Sequence, residues 1–177
     1  MTLDLDHWLS EPTIRVAHRR DSSATAEELW DAARGVRLTD TTLLGRLVRW
    51  RIPGIPPGIS YDELFRSPPF VVLAEDRQLL ISGLVGRIWT LRRDYPELTR
   101  PDEFLAWSKR GTARVVFANW VQPTEDSRAA LCSETRVQPI GSQGRVGLVA
   151  LRPLVSTFHH LVDSDGIETA VRRAEAR

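Results

Sequence analysis

Residues 156–166 read STFHHLVDSDG and place two histidines and two aspartates within eleven positions. On a helix His159 and Asp163 are i,i+4 neighbours, as are His160 and Ser164, so metal binding or acid–base chemistry is the first idea to weigh. Adjacent His159 and His160 project about 100° apart, which keeps both from serving one ion. A zinc site needs about three or four converging ligands, and the chain offers neither an HExxH motif nor a cysteine pair. Asp165 and Glu168 instead form a helix-start signature, followed by Ile167, Ala170, Val171 and Ala174 at helical spacing. The stretch therefore reads as a break between helical segments, and no metal, cofactor or catalytic residue is assigned to it. Pro153 adds a kink by removing one backbone donor. A helix weakened twice is expected to open between residues 153 and 166, where it would gate whatever it covers.

Such a helix needs something to cover. The 177 residues, 42% of them hydrophobic, suffice for one well-cored domain spanning 1–177. Twenty-four basic residues oppose 23 acidic ones for a formal charge of +1, so nothing global argues for nucleic acid as a partner. The local excess over residues 34–66 lacks the interleaved aromatics of a single-strand binder. No apolar run approaches the ~20 residues of a membrane span. The N-terminal MTLDLDHWLSEP has no secretory character, and the single cysteine, Cys132, suits a reducing cytoplasm.

Along the chain, TIRVAHRR (13–20) alternates as a first strand with one face to water. SSATAEELWDAARG carries a Thr25/Glu28 capping box, an apolar face of Ala26, Leu29, Trp30 and Ala33, and a closing Gly35. A second short helix is expected from Thr41 to about Arg49 after an Asp40 cap. RIPGIPPGIS (51–60) is a stiff crossing. FVVLAE (70–75) and RQLLISGLVGRIW (77–89) form a hairpin, with a bulge or bend at Gly83 and Gly86. Pro101 opens a helical turn holding Phe104 and Trp107. Long strands at 112–123 and 127–138 follow, and the pattern is helical from about Gln143 onward. The order predicts an α+β fold: a curved antiparallel sheet with two short helices after the first strand, wrapped around a long C-terminal helix.

Several of these stretches, GTARVVFANWVQPTEDSRAALCSETRVQPI with its SETRV strand end, LVALRPLVSTFHH, VRRAEAR, GLVGRIW and ATAEELWDAA, resemble the START-like helix-grip superfamily, the SRPBCC group. The similarity covers nearly the whole chain in order and spacing. It implies a deep, largely apolar cavity between sheet and C-terminal helix that takes lipid-, polyketide- or isoprenoid-like molecules, and in some relatives an aromatase/cyclase activity.

Strand parity supplies candidate lining residues. Val85, Arg87 and Trp89 share one face with Ile81. Phe117 and Asn119 share another with Val115 and Val121, and Leu131, Ser133 and Thr135 a third with Val137. Phe158 would face inward from the C-terminal helix, and His159 is the one candidate acid or base should the protein be an enzyme. Apolar bulk with a few hydroxyl and amide groups is the make-up of a ligand pocket. The opposite faces, with Arg114, Arg128, Glu134 and Arg136, are expected to be a solvated exterior laced with cross-strand ion pairs. The leading expectation is a cytoplasmic binder of an apolar small molecule, making no contact with nucleic acid or membrane interior, with a homodimer left open. The alternatives are a cyclase-type enzyme in the same cavity, or an interaction module marked by an exposed apolar patch.

Overall fold

The computed structural model describes residues 4–41, 43–52, 54–90, 95–124, 128–149 and 166–176. Its first element is a helix absent from the sequence reading. α1 (Leu5–Leu9) is one short turn capped by Asp4, whose carboxylate accepts from the His7 amide at 3.1 Å. β1 (Ile14–Ser22) alternates half-buried and exposed positions, as its sequence does. α2 (Ala26–Arg34) starts on the expected capping box: Thr25 accepts from the Glu28 amide at 3.3 Å, and Glu28 accepts from the Thr25 amide at 3.0 Å.

α3 (Leu43–Arg51) begins later than the sequence suggested. The Asp40 carboxylate closes the preceding 3-10 turn (Leu38–Asp40) by accepting from the Arg37 amide at 2.6 Å. A further unexpected helix, α4 (Tyr61–Arg66), carries a complete capping box between Ser60 and Glu63.

β2 (Val71–Asp76) and β3 (Leu79–Gly86) make the hairpin. α5 (Pro101–Ala106), β4 (Thr112–Pro123) and β5 (Ala129–Ile140) come next. Gly141, at φ 76°, turns the chain out of β5 into α6 (141–149), a left-handed conformation that a side chain would strain. α7 (Glu168–Glu175) ends the described chain, and its buried Ile167, Ala170, Val171 and Ala174 keep the expected spacing. The kink at Pro153 and the proposed break with its Asp165 cap fall outside the described residues.

All pairings are antiparallel, in the order β1-β5-β4-β3-β2, giving one open five-stranded sheet. The fold is α+β. On one face α2 and α7 pack over β1, β5 and β4, so that Leu29, Trp30, Ala170 and Val171 meet Val121 and Leu131 in one cluster. A neighbouring cluster on that face joins Leu64, Phe70 and Leu84 to Val115, Val137 and Leu148 of α6.

The other face departs from expectation. Instead of a solvated exterior it carries a second core, in which Leu5 and Leu9 of α1 and Phe104 of α5 seal Ile81, Val85, Val116 and Ala118. Glu134 and Arg136 do pair, but under cover: both residues are buried. Glu134 accepts from Arg15 Nε at 2.8 Å and from Arg136 Nε at 2.6 Å. Arg136 Nη1 also donates to Asp6 at 2.5 Å and to the Leu9 carbonyl at 2.8 Å, tying α1 to the sheet. Burial pushes the Glu134 carboxyl up, and the two arginine hydrogen bonds outweigh it, leaving its pKa below the ordinary range. Arg114 lies against α5, donating to the Leu105 carbonyl and to Gln138, while burial lowers its pKa. Only Arg128 of that set is exposed.

The glycine-marked bulge is also displaced. The register shift lies across the hairpin, between Val72 and Ala74 of β2. Gly83 is needed for another reason: a Cβ there would sit 2.7 Å from Phe104 Cδ2.

Candidate functional site

Between the sheet and the helices of its first face lies a hollow of about 290 Å³, near the lower end of the ~300–1,000 Å³ of small-molecule sites. The β-sheet makes the floor. Antiparallel register sets Ile14, Val16 and His18 of β1 opposite Val137, Thr135 and Ser133 of β5. The same three residues of β5 face Val115, Phe117 and Asn119 of β4. Leu80 and Leu84 of β3 complete the floor. Helices supply the walls: Trp30 and Ala33 from α2, Val48 and Trp50 from α3, Leu64 and Phe65 from α4, Ile167 and Ala170 at the start of α7.

α4 matters here because its capping box fixes a turn that would be marginal alone. That turn delivers Phe65, whose ring centroid lies 5.2 Å from Phe70 and 5.3 Å from Phe117; Phe70 and Phe117 are 5.6 Å apart and edge to face. The three rings form an aromatic wall beside the β4 floor.

Among the described lining residues the formally charged ones are Arg34 and Asp62, and they pair at 3.3 Å between α2 and α4. Asp62 also receives Arg66 at 3.0 Å, and Arg66 reaches Glu75 of β2 at 2.5 Å. The chain of pairs fastens α4 to both neighbours.

The structure brings five of the ten sequence-predicted residues to the hollow: Phe117, Asn119, Leu131, Ser133 and Thr135. Val85 is a correction. It belongs to the core on the opposite face, and Leu84 beside it takes the wall position. Every residue of β3 is buried, so the strand has no polar alternation from which its inner face could be read. Arg87 is a correction too: it lies beyond the end of β3 and is exposed, where its charge keeps its water. Trp89 packs instead against α6, its ring occupying the space a Cβ at Gly147 would need. Phe158 and His159 lie outside the described residues.

Sequence reasoning missed His18 as a lining residue, although it shares strand parity with Ile14 and Val16. It missed Phe65 as well, for which the Ser60-x-x-Glu63 box was the available signal. Cys132 is buried on the outer face, where burial pushes the thiol pKa up and disfavours the thiolate. Among the described residues no group of three or more His, Cys, Asp or Glu side chains could hold a metal ion, and no helix is long and apolar enough to cross a membrane.

No family model matches the sequence, and no curated protein does. Solved structures similar in shape include a hypothetical protein from Helicobacter pylori at 8% identity and TM-score 0.44, covering 99% of this chain and 94% of that one. Norcoclaurine synthase from Thalictrum flavum follows at 13% identity and TM-score 0.42, with 92% of this chain and 91% of that chain covered. An aromatase/cyclase from Streptomyces sp. R1128 aligns at 14% identity and TM-score 0.29, over 93% and 94% of the two chains. TM-scores this low carry no functional weight.

Proposed function

We propose that this chain is a helix-grip protein that binds an apolar or amphipathic small molecule in the hollow between its sheet and its helices. The observation behind the reading is the composition of the walls. Aliphatic and aromatic side chains from β1, β3, β4, β5 and four helices converge there, with few polar groups and the described charges already paired. Burial of ligand surface at ~25 cal/mol per Å² would supply most of the affinity. The C-terminal segment, whose described end contributes Gly166, Ile167 and Ala170, would serve as wall and cover. Native mass spectrometry of freshly purified protein, with an organic extract of the same sample, tests this. A discrete added mass that is released on denaturation and recovered in the extract is expected. A clean apo mass, with no uptake of hydrophobic dyes, would remove the reading.

A cyclase-type enzyme is the second reading, and His18 favours it. Its imidazole belongs to the hollow's lining, opposite Ser133 across the β1–β5 ladder, and could move a proton to or from a bound substrate. Should turnover of a polyketide-like substrate be found, His18→Gln is expected to lower kcat by at least tenfold. Unchanged turnover in that variant would exclude His18 from the chemistry.

A further inference from the structure

Resting on the ligand-pocket reading above, we infer that Asn119, Ser133 and Thr135 form a polar strip on the pocket floor that holds a neutral hydroxyl or carbonyl group of a flat aromatic ligand. Asn119 and Ser133 are direct partners across the β4–β5 ladder, and Thr135 is the next residue on the same face of β5. All three line the hollow. Among the described residues none of their side chains makes a hydrogen bond, although each carries both donor and acceptor capacity. Ser82 of β3 is by contrast tied to the Phe65 carbonyl at 2.8 Å, so the three uncommitted groups side by side are available to the occupant.

Their chemistry selects the class of head group. An amide beside two hydroxyls can donate to and accept from one ligand atom, which suits a hydroxyl and, by donation alone, a ketone. An anion would need a cation on the floor. Among the described lining residues Arg34 is committed to Asp62 and His18, opposite Ser133, already has a partner of its own, and a carboxylate buried without a partner charge is disfavoured. The remainder of the ligand is selected by the neighbours of the strip. Phe117 is the direct partner of Thr135, and with Phe65 and Phe70 it forms the aromatic wall against which a flat ring packs edge-on or offset. A hydroxylated or keto-bearing aromatic satisfies both surfaces at once. A fatty acid satisfies neither.

The test is a fluorescence titration of the full chain at pH 7 with three probes of one shape: naphthalene, 2-naphthol and 2-naphthoate. 2-Naphthol is expected to bind about tenfold tighter than either of the others, the factor that one well-made net hydrogen bond supplies. Asn119→Leu combined with Ser133→Ala should bring 2-naphthol to the affinity of naphthalene and leave naphthalene unchanged. If circular dichroism shows that the variant does not fold, Thr135→Val, which preserves shape, should lower the 2-naphthol preference several-fold by itself. Equal binding of naphthalene and 2-naphthol by the wild type, or tightest binding of 2-naphthoate, would overturn the polar strip while leaving the pocket intact. Failure of all three probes to bind would overturn the pocket reading together with it.

Discussion

Arg136 donates from Nε to Glu134 at 2.6 Å, two residues back on β5, with side-chain exposures of 7% and 6%. The pair sits on the face away from the hollow, under α1, and is completed by Arg15 and Asp6. A paired charge in such a position is costly to orphan and cheap to replace whole. Arg136→Met should therefore destabilise the protein by about 3 kcal/mol, because Glu134 loses a buried partner and α1 loses its link through Asp6 and the Leu9 carbonyl. The double substitution Glu134→Leu with Arg136→Met should recover most of that loss. Urea unfolding of the three variants checks the ordering.

The same pair sets an acid limit. The Glu134 pKa lies below the ordinary carboxylate range despite burial, because Arg15 and Arg136 hydrogen-bond its charged form. A carboxylate depressed in the folded state contributes stability that is fully present above its unfolded pKa. That contribution is lost as pH falls from about 4.5 through the lower folded value. Stability measured by urea unfolding should hence fall between pH 5 and 3. In Glu134→Gln the slope over that window should be shallower, even though the variant starts less stable at pH 7. An identical slope would mean that other carboxylates, such as the capping Glu63 and Glu103 whose pKa values are also lowered, account for the acid sensitivity.

What could be read from the sequence followed from how each element meets water. β1 has one wet face, so its alternation was visible and correct. The Thr25–Glu28 box and Pro101 announced α2 and α5 because caps are local chemistry. α1 and α4, 5 and 6 residues long, are too short to show a helical period, although the Ser60–Glu63 box marks the start of α4. Missing α1 had a consequence. Without it the outer face of β5 looked solvated, and Glu134 and Arg136 looked like surface ions. On β3, buried throughout, the choice between Leu84 and Val85 was undetermined by pattern, since both are apolar and a one-residue shift exchanges the faces. The hollow's β4 and β5 floor was legible for the opposite reason: the charges of Arg114, Glu134 and Arg136 fall on one parity, which left Phe117, Asn119, Ser133 and Thr135 on the other face.

Gly83 is expected to tolerate no side chain. Its missing Cβ makes room for Phe104, whose Cδ2 would lie 2.7 Å from the added carbon, with Leu73 Cδ1 at 3.1 Å. Phe104 is fully buried and has little room to retreat. Gly83→Ala should cost about 1–3 kcal/mol as an overpacked core. Adding Phe104→Leu should give a double variant more stable than the sum of the two single effects. Additive losses would show that the ring is not the obstacle.

Leu84 and Val85 separate the two cores by one residue, and that makes them the sharpest test of the face assignment. Leu84 lines the hollow, whereas Val85 packs with Ile81, Phe104 and Val116 on the other side of the sheet. Leu84→Trp should fill the hollow and weaken binding of 2-naphthol at least tenfold while the protein still unfolds cooperatively, because the hollow has room for the larger ring. Val85→Ala should do the reverse. It should cost on the order of 2 kcal/mol from the cavity left in a fully buried cluster, and probe affinity should stay within twofold of wild type. Fluorescence titration paired with urea unfolding reads both quantities on each variant. If Val85→Ala weakened the probe and Leu84→Trp did not, the inner face of β3 would be the one that strand parity first suggested, and the hollow would have to be redrawn around Ile81 and Val85.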